Sequence, residues 1–97
     1  MSKKMKEGDI EHWSVSKARR ANYWVRKFTS PARRSAPDDI FAQNGRVFFV
    51  EFKATGKKPS DLQEHEHKLM REAGLTVYVC DSRELFDEIL EAESFWN

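Results

Sequence analysis

The sequence predicts a three-layer α/β/α domain with element order α-β-β-β-α-β-α. Three observations carry that expectation. The pair Asn44-Gly45, the strongest short hairpin signal, joins two strand-like segments. Both segments are apolar on both faces, as strands are in a sheet covered by helices on each side. Helix-start signals then stand before two later stretches, at Ser60 and Ser82.

Taken in order, residues 9–22 are expected to form the first helix, with Asp9 as its N-cap and a sparse apolar set of Ile10, Trp13, Val15, Ala18 and Ala21. Residues 23–29 are rich in aromatic and β-branched side chains and read as a strand. Residues 30–37 form a basic, proline-bounded loop. The hairpin strands follow at 38–43 and 46–53. Ile40, Ala42, Val47 and Phe49 share one face; Phe41, Phe48, Val50 and Phe52 share the other. After a Gly/Lys/Pro loop at 54–59, Ser60-Asp61-Leu62-Gln63 is a capping box that opens a helix, and Gly74 closes it. Residues 75–80 form a short apolar strand. Ser82 caps a last helix running to about Ala92, with Leu85, Phe86, Ile89 and Leu90 on one stripe.

A chain of 97 residues has room for one domain, expected to span 1–97 with its core at about 7–92. No apolar run approaches the roughly 20 residues of a membrane helix, and Met1 to Lys6 leads into no apolar stretch, so a membrane or secreted location is not expected. The lone Cys80 excludes an intramolecular disulfide and fits a reducing cytoplasm. The formal net charge is only +1, yet residues 1–34 carry +7 and residues 35–97 carry −6. A basic half points to a polyanion such as nucleic acid; solvated faces that pair with each other are the plainer alternative.

The hairpin register places the candidate chemistry. A two-residue turn at Asn44-Gly45 pairs Gln43 with Arg46 and sets Asp38 directly opposite Glu51 on the same face. Opposed side chains there have Cβ atoms about 5 Å apart. Two like charges at that separation repel, unless an oxygen-seeking divalent cation sits between them. Strand alternation adds Lys53 to the same face and sends Asp39 to the other. Two carboxylates and an ammonium suit metal-assisted phosphoryl chemistry, in which the lysine orients water or stabilises charge. On the spacing of Glu51 and Lys53 alone, an ordinary surface ion pair would be the better reading.

At these residues the sequence resembles a known family. Pro37-Asp38 followed by Glu51-Phe52-Lys53 is similar to the PD-(D/E)xK nuclease motif. The segments Lys27-Phe28-Thr29-Ser30-Pro31, Arg33-Arg34-Ser35-Ala36-Pro37-Asp38, Val50-Glu51-Phe52-Lys53, Gly56-Lys57-Lys58-Pro59 and Leu62-Gln63 follow the VRR-NUC branch in order and spacing. The resemblance covers about residues 7–85 and is greatest to the stand-alone, often phage-encoded members. It implies an α-β-β-β-α-β core and Mg²⁺- or Mn²⁺-dependent hydrolysis of DNA in a bacterial or phage-infected cell. It further implies Asp38, Glu51 and the Phe52 carbonyl as metal ligands and Lys53 as the motif lysine. Gln63 is then a residue that helps position the metal's water or Lys53. Glu7 and Glu11 match the acidic first helix of the family; one of them completes the metal site on this reading, with Glu7 preferred. Homodimers that cut branched DNA, four-way (Holliday) junctions included, are also implied. Trp13, Tyr23, Trp24, Phe95 and Trp96 are interface candidates, although each suits a core equally well.

Arg33, Arg34, Lys57, Lys58 and Lys27 are the candidate DNA-phosphate contacts, giving affinity without sequence preference. His65 and His67, two apart on a helix, point to different sides and do not make a zinc pair. One departure stands out. The family has glycine two residues before the motif proline, where this chain has Ser35; a φ > 0 backbone there would suit serine poorly. The alternative it raises is a DNA-binding module of the same fold with weak or no catalysis.

Overall fold

The computed structural model describes residues 4–29 and 35–94. Seven elements follow the expected order: α1 (Glu7–Arg20), β1 (Trp24–Lys27), β2 (Asp39–Gln43), β3 (Arg46–Phe52), α2 (Asp61–Glu72), β4 (Thr76–Cys80) and α3 (Arg83–Ser94). The four strands form one sheet in the order β1-β2-β3-β4. The first three are antiparallel and β4 runs parallel to β3. That parallel step requires a crossover, and α2 supplies it.

Local chemistry explains the element ends. Helix α1 starts two residues before the expected position, from Lys6, which makes no side-chain cap; Asp9 instead lies in the first turn, where its charge complements the helix dipole. Asn22, with φ of 69°, turns the chain out of that helix. The hairpin turn places both Asn44 (φ 52°) and Gly45 (φ 83°) in the left-handed region, as a type I′ turn needs. Gln43 therefore pairs with Arg46, and the register runs as far as Asp39 opposite Val50. Ser82 Oγ caps α3 by accepting from the Leu85 N–H at 3.0 Å.

The sheet is covered on both faces, completing three layers. Ile10 and Ala18 of α1 and Phe86 and Ile89 of α3 pack on Val25, Phe41, Phe48, Val50, Phe52 and Cys80. Met70 of α2 packs on Phe49 and Val77 from the opposite side, with Ile40 and Phe28 beside them. Phe41 stacks on Phe48 with ring centroids 5.1 Å apart. Burial of each such ring contributes about 1.5–3 kcal/mol, which makes this side the main source of stability. Glu93 of α3 is buried and accepts from Arg46 at 3.1 Å through both oxygens and from the Tyr78 hydroxyl at 2.5 Å, fixing α3 against the sheet. Among the described residues no helix is long and apolar enough to cross a membrane.

Candidate active site

The two hairpin carboxylates meet at the end of the β2–β3 ladder, where Pro37 stops it. A continued ladder would give the Phe52 carbonyl an N–H from residue 37, and proline has none. The structure diverges there. Asp38 lies one residue outside β2; its N–H donates to the Val50 carbonyl at 3.1 Å and its carbonyl accepts from the Phe28 N–H at 2.8 Å. Its side-chain Oδ2 then takes the Phe52 N–H at 2.7 Å, the donor that a regular ladder would aim at Pro37. The expected direct pairing of Asp38 with Glu51 is thus replaced by a side-chain-to-backbone bond one residue further on. The carboxylate still reaches the face where Glu51 stands.

Glu51 is 2 % exposed on the α2 side of the sheet. Burial pushes its carboxyl up to about 8, and the nearby charge of Asp38 adds to the rise while Lys53 opposes it. Burial likewise raises Asp38, which the Phe52 N–H partly offsets. Asp38 and Glu51 are both raised by burial, and Glu51 is raised further by the charge of Asp38, so the site is short of positive charge. Lys53 Nζ lies 3.8 Å from Glu51 Oε2. Gln63 Nε2 donates to that same oxygen at 3.3 Å.

The capping box aims Gln63. Ser60 Oγ accepts from the Gln63 N–H at 3.2 Å, and Gln63 Oε1 accepts from the Ser60 N–H at 2.9 Å. With its oxygen held, the amide nitrogen faces Glu51, so the capping and site readings of Gln63 hold together. Sequence reasoning missed His67, whose Nε2 lies 3.6 Å from Glu51 Oε1. The signal was available: position 67 is one helical turn after Gln63 on the same face. Burial lowers the His67 pKa, with Arg71 and Lys53 adding to the effect.

Helix α1 contributes acids at the rim. Met5 and Thr55 join the chain before α1 to the loop after Lys53, through Met5 N–H to Thr55 Oγ1 at 3.0 Å and Thr55 N–H to the Met5 carbonyl at 3.1 Å. Exposed Glu7 is near enough to raise Glu51 by its charge. Glu11 faces the other side of the sheet end, paired with Lys27 at 2.7 Å and close enough to Asp39 for each to affect the other's ionisation. Asp39 is buried on the α1 side, as strand alternation predicts; burial and the Glu11 carboxylate push it up to about 8. A cavity of about 310 Å³ opens there, lined by Glu11, Lys27 and Asp39 among others, and none of Glu51, Lys53 or Gln63 lines it.

The remaining expectations divide. Lys57 and Lys58 are exposed in the loop leaving Lys53. Lys27 is engaged by Glu11. Arg33, Arg34, Phe95 and Trp96 lie outside the described residues. Trp24 is exposed on edge strand β1, whereas Trp13 and Tyr23 pack against the main core. Ser35 is not among the positive-φ residues, which apart from glycines are Asn22 and Asn44 in the described chain. Serine therefore carries no left-handed penalty at that position.

Whether the donor set fits a metal ion can be judged from its chemistry. Among the described residues no three His, Cys, Asp or Glu side chains converge closely enough to hold an ion by themselves. The fit is to a hard cation that keeps several of its own waters and takes only one or two carboxylates, as Mg²⁺ does. Glu51 Oε1, buried without a hydrogen-bond partner, has both lone pairs open, enough for an ion and one donor together.

No protein-family model matches the sequence. The chain is 42% identical over 82 residues to a protein described as putative nuclease p44 of Acyrthosiphon pisum secondary endosymbiont phage 1, covering 84% of this chain and 88% of that one. A solved structure described as a VRR_NUC domain superposes with a TM-score of 0.84 at 30% identity, covering 90% of this chain and 96% of its own.

Proposed function

The chain belongs to the VRR-NUC family of PD-(D/E)xK-related nuclease domains, and from that premise we propose that it is a Mg²⁺- or Mn²⁺-dependent endonuclease that hydrolyses DNA phosphodiester bonds, branched DNA foremost. The observation that carries this reading is the convergence of Asp38, Glu51, Lys53 and Gln63 at the Pro37 end of the hairpin. Asp38, Glu51 and the Phe52 carbonyl would hold the ion, with Glu7 the acid best placed to join them. A bound divalent cation polarises the phosphoryl oxygen and eases formation of the nucleophile.

The chain's own residues do the rest. Lys53 supplies a fixed positive charge beside Glu51 for the negative charge that develops on the phosphate. Gln63 donates to Glu51 Oε2 from the helix side, the oxygen that Lys53 also addresses, and so helps orient the carboxylate. Lys57 and Lys58, with Arg33 and Arg34, supply salt-sensitive backbone contacts. A two-fold homodimer presenting Trp24 at its interface would set two such sites against a symmetric junction.

The test is cleavage of labelled linear, flap and four-way-junction DNA with Mg²⁺, Mn²⁺ or EDTA, beside Asp38→Asn. Metal-dependent cutting that Asp38→Asn loses supports the proposal. Tight binding without cutting by the wild type would instead make the protein a DNA-binding module of the same fold. Comparable cutting of all three DNAs would remove the preference for branches.

A further inference from the structure

The sheet-facing stripe of α2 changes character along its length. Gln63 and His67 lie over Glu51, and Met70, three residues on, packs on Phe49 and Val77. His67 is 1 % exposed. An apolar side chain would fill that position without leaving a polar atom unsatisfied, and such an atom is costly in a buried place. His65, two residues earlier, is exposed and takes no part.

Two buried atoms here are complementary. Glu51 Oε1 and His67 Nε2 each lack a hydrogen-bond partner, and they face one another at 3.6 Å. That separation is just beyond hydrogen-bond length, and a small turn of either side chain closes it. Glu51 Oε2 is already addressed by Gln63 and Lys53. The carboxylate is therefore gripped on one oxygen by Gln63 and faced on the other by an imidazole one helical turn away.

Building on the proposed nuclease reading, we infer that His67 is a positioning residue that donates from Nε2–H to Glu51 Oε1 and fixes the carboxylate in the rotamer that binds the divalent ion. It acts through Glu51, the group its Nε2 faces, and is assigned no bond to the ion itself. Partners that orient metal ligands are typically worth 10–100-fold in metal affinity or activity.

The experiment measures Mn²⁺ binding to the full chain by titration calorimetry, with metal-dependent cleavage read in parallel. Wild type is compared with His67→Met, of similar volume but without a donor, and His67→Gln, which keeps one. The expected result is a loss of about tenfold or more in Mn²⁺ affinity for His67→Met. Cleavage by that variant returns toward the wild-type rate at saturating metal, and His67→Gln recovers most of the affinity. Unchanged affinity in a folded His67→Met overturns the inference and leaves the nuclease reading intact. Absence of Mn²⁺ binding and of cleavage in the wild type overturns both. A second measurement needs no variant: in the Mg²⁺-saturated protein, with Glu51 ionised, ¹⁵N shifts of the His67 ring are expected to show the Nε2–H tautomer, and an Nδ1–H tautomer contradicts the inference.

Discussion

Replacing Glu51 by glutamine is expected to stabilise the metal-free protein while removing its activity. Glu51 is 2 % exposed, and burial, reinforced by Asp38, pushes its carboxyl up from an ordinary 4.5 to about 8. Between those values the folded chain keeps a proton that the unfolded chain releases, so stability falls as pH rises through that window and the cost is complete above it. At pH 7 the folded group stands about 2.5 pH units above ionisation in the unfolded chain, which at 1.36 kcal/mol per unit is about 3 kcal/mol. Asp38 shares this coupling, and a glutamine amide needs partners of its own, so the expected gain is about 1–3 kcal/mol. For a domain this size each kcal/mol raises the thermal midpoint by roughly 4–8 °C. Urea denaturation in EDTA at pH 5 and pH 7.5 measures it. Glu51→Gln should exceed wild type at pH 7.5 and approach it at pH 5. A variant less stable than wild type at both values, or a gap independent of pH, would contradict a raised Glu51 ionisation as the source of the difference.

Other expectations concern the frame around the site. Arg46→Met takes the guanidinium away from both oxygens of the buried Glu93 and leaves it the Tyr78 hydroxyl. It is expected to cost about 2–3 kcal/mol in urea denaturation, below the range for a fully buried pair because Arg46 is a third exposed. Ser60→Ala removes half of the capping box and is expected to cost about 1 kcal/mol; because it also frees Gln63, the Mg²⁺ concentration for half-maximal cleavage should rise severalfold. Cys80 is buried, and burial pushes its thiol up to about 11. Ellman's reagent at pH 8 should leave it unreacted in the native protein and consume one equivalent in urea; rapid native labelling would contradict its place in the core.

Much of this was legible in the sequence because the hairpin is specified locally. Asn44-Gly45 fixes the turn, the turn fixes the register, and the register separates Glu51 from Asp39 by face. The two-sided apolar pattern of β2 and β3 announced helices on both sides, and α1 with α3 opposite α2 supply them. The capping box announced both the start of α2 and, through its glutamine, a contact with Glu51. What escaped the sequence depends on where the ladder ends. Pro37 breaks the pairing, so the Asp38 carboxylate takes the place of a backbone acceptor rather than sitting square to Glu51. His67 escaped because two histidines two apart point to different sides of a helix and suggest no shared role, whereas the residue that shares its face is Gln63, one turn earlier. The early start of α1 escaped because Lys6 offers no side-chain cap to read.

The part Lys53 plays at this site is measured by single-turnover cleavage of labelled DNA at saturating enzyme and Mg²⁺, comparing wild type with Lys53→Ala and with the double variant Lys57→Ala, Lys58→Ala. If Lys53 works on the reacting phosphate beside Asp38 and Glu51, Lys53→Ala loses about 10²-fold or more in rate with little change in DNA affinity. The loop variant binds more weakly, with a shallower salt dependence, yet cuts at the wild-type rate once saturated. Equal rates for wild type and Lys53→Ala would contradict the assignment of this site.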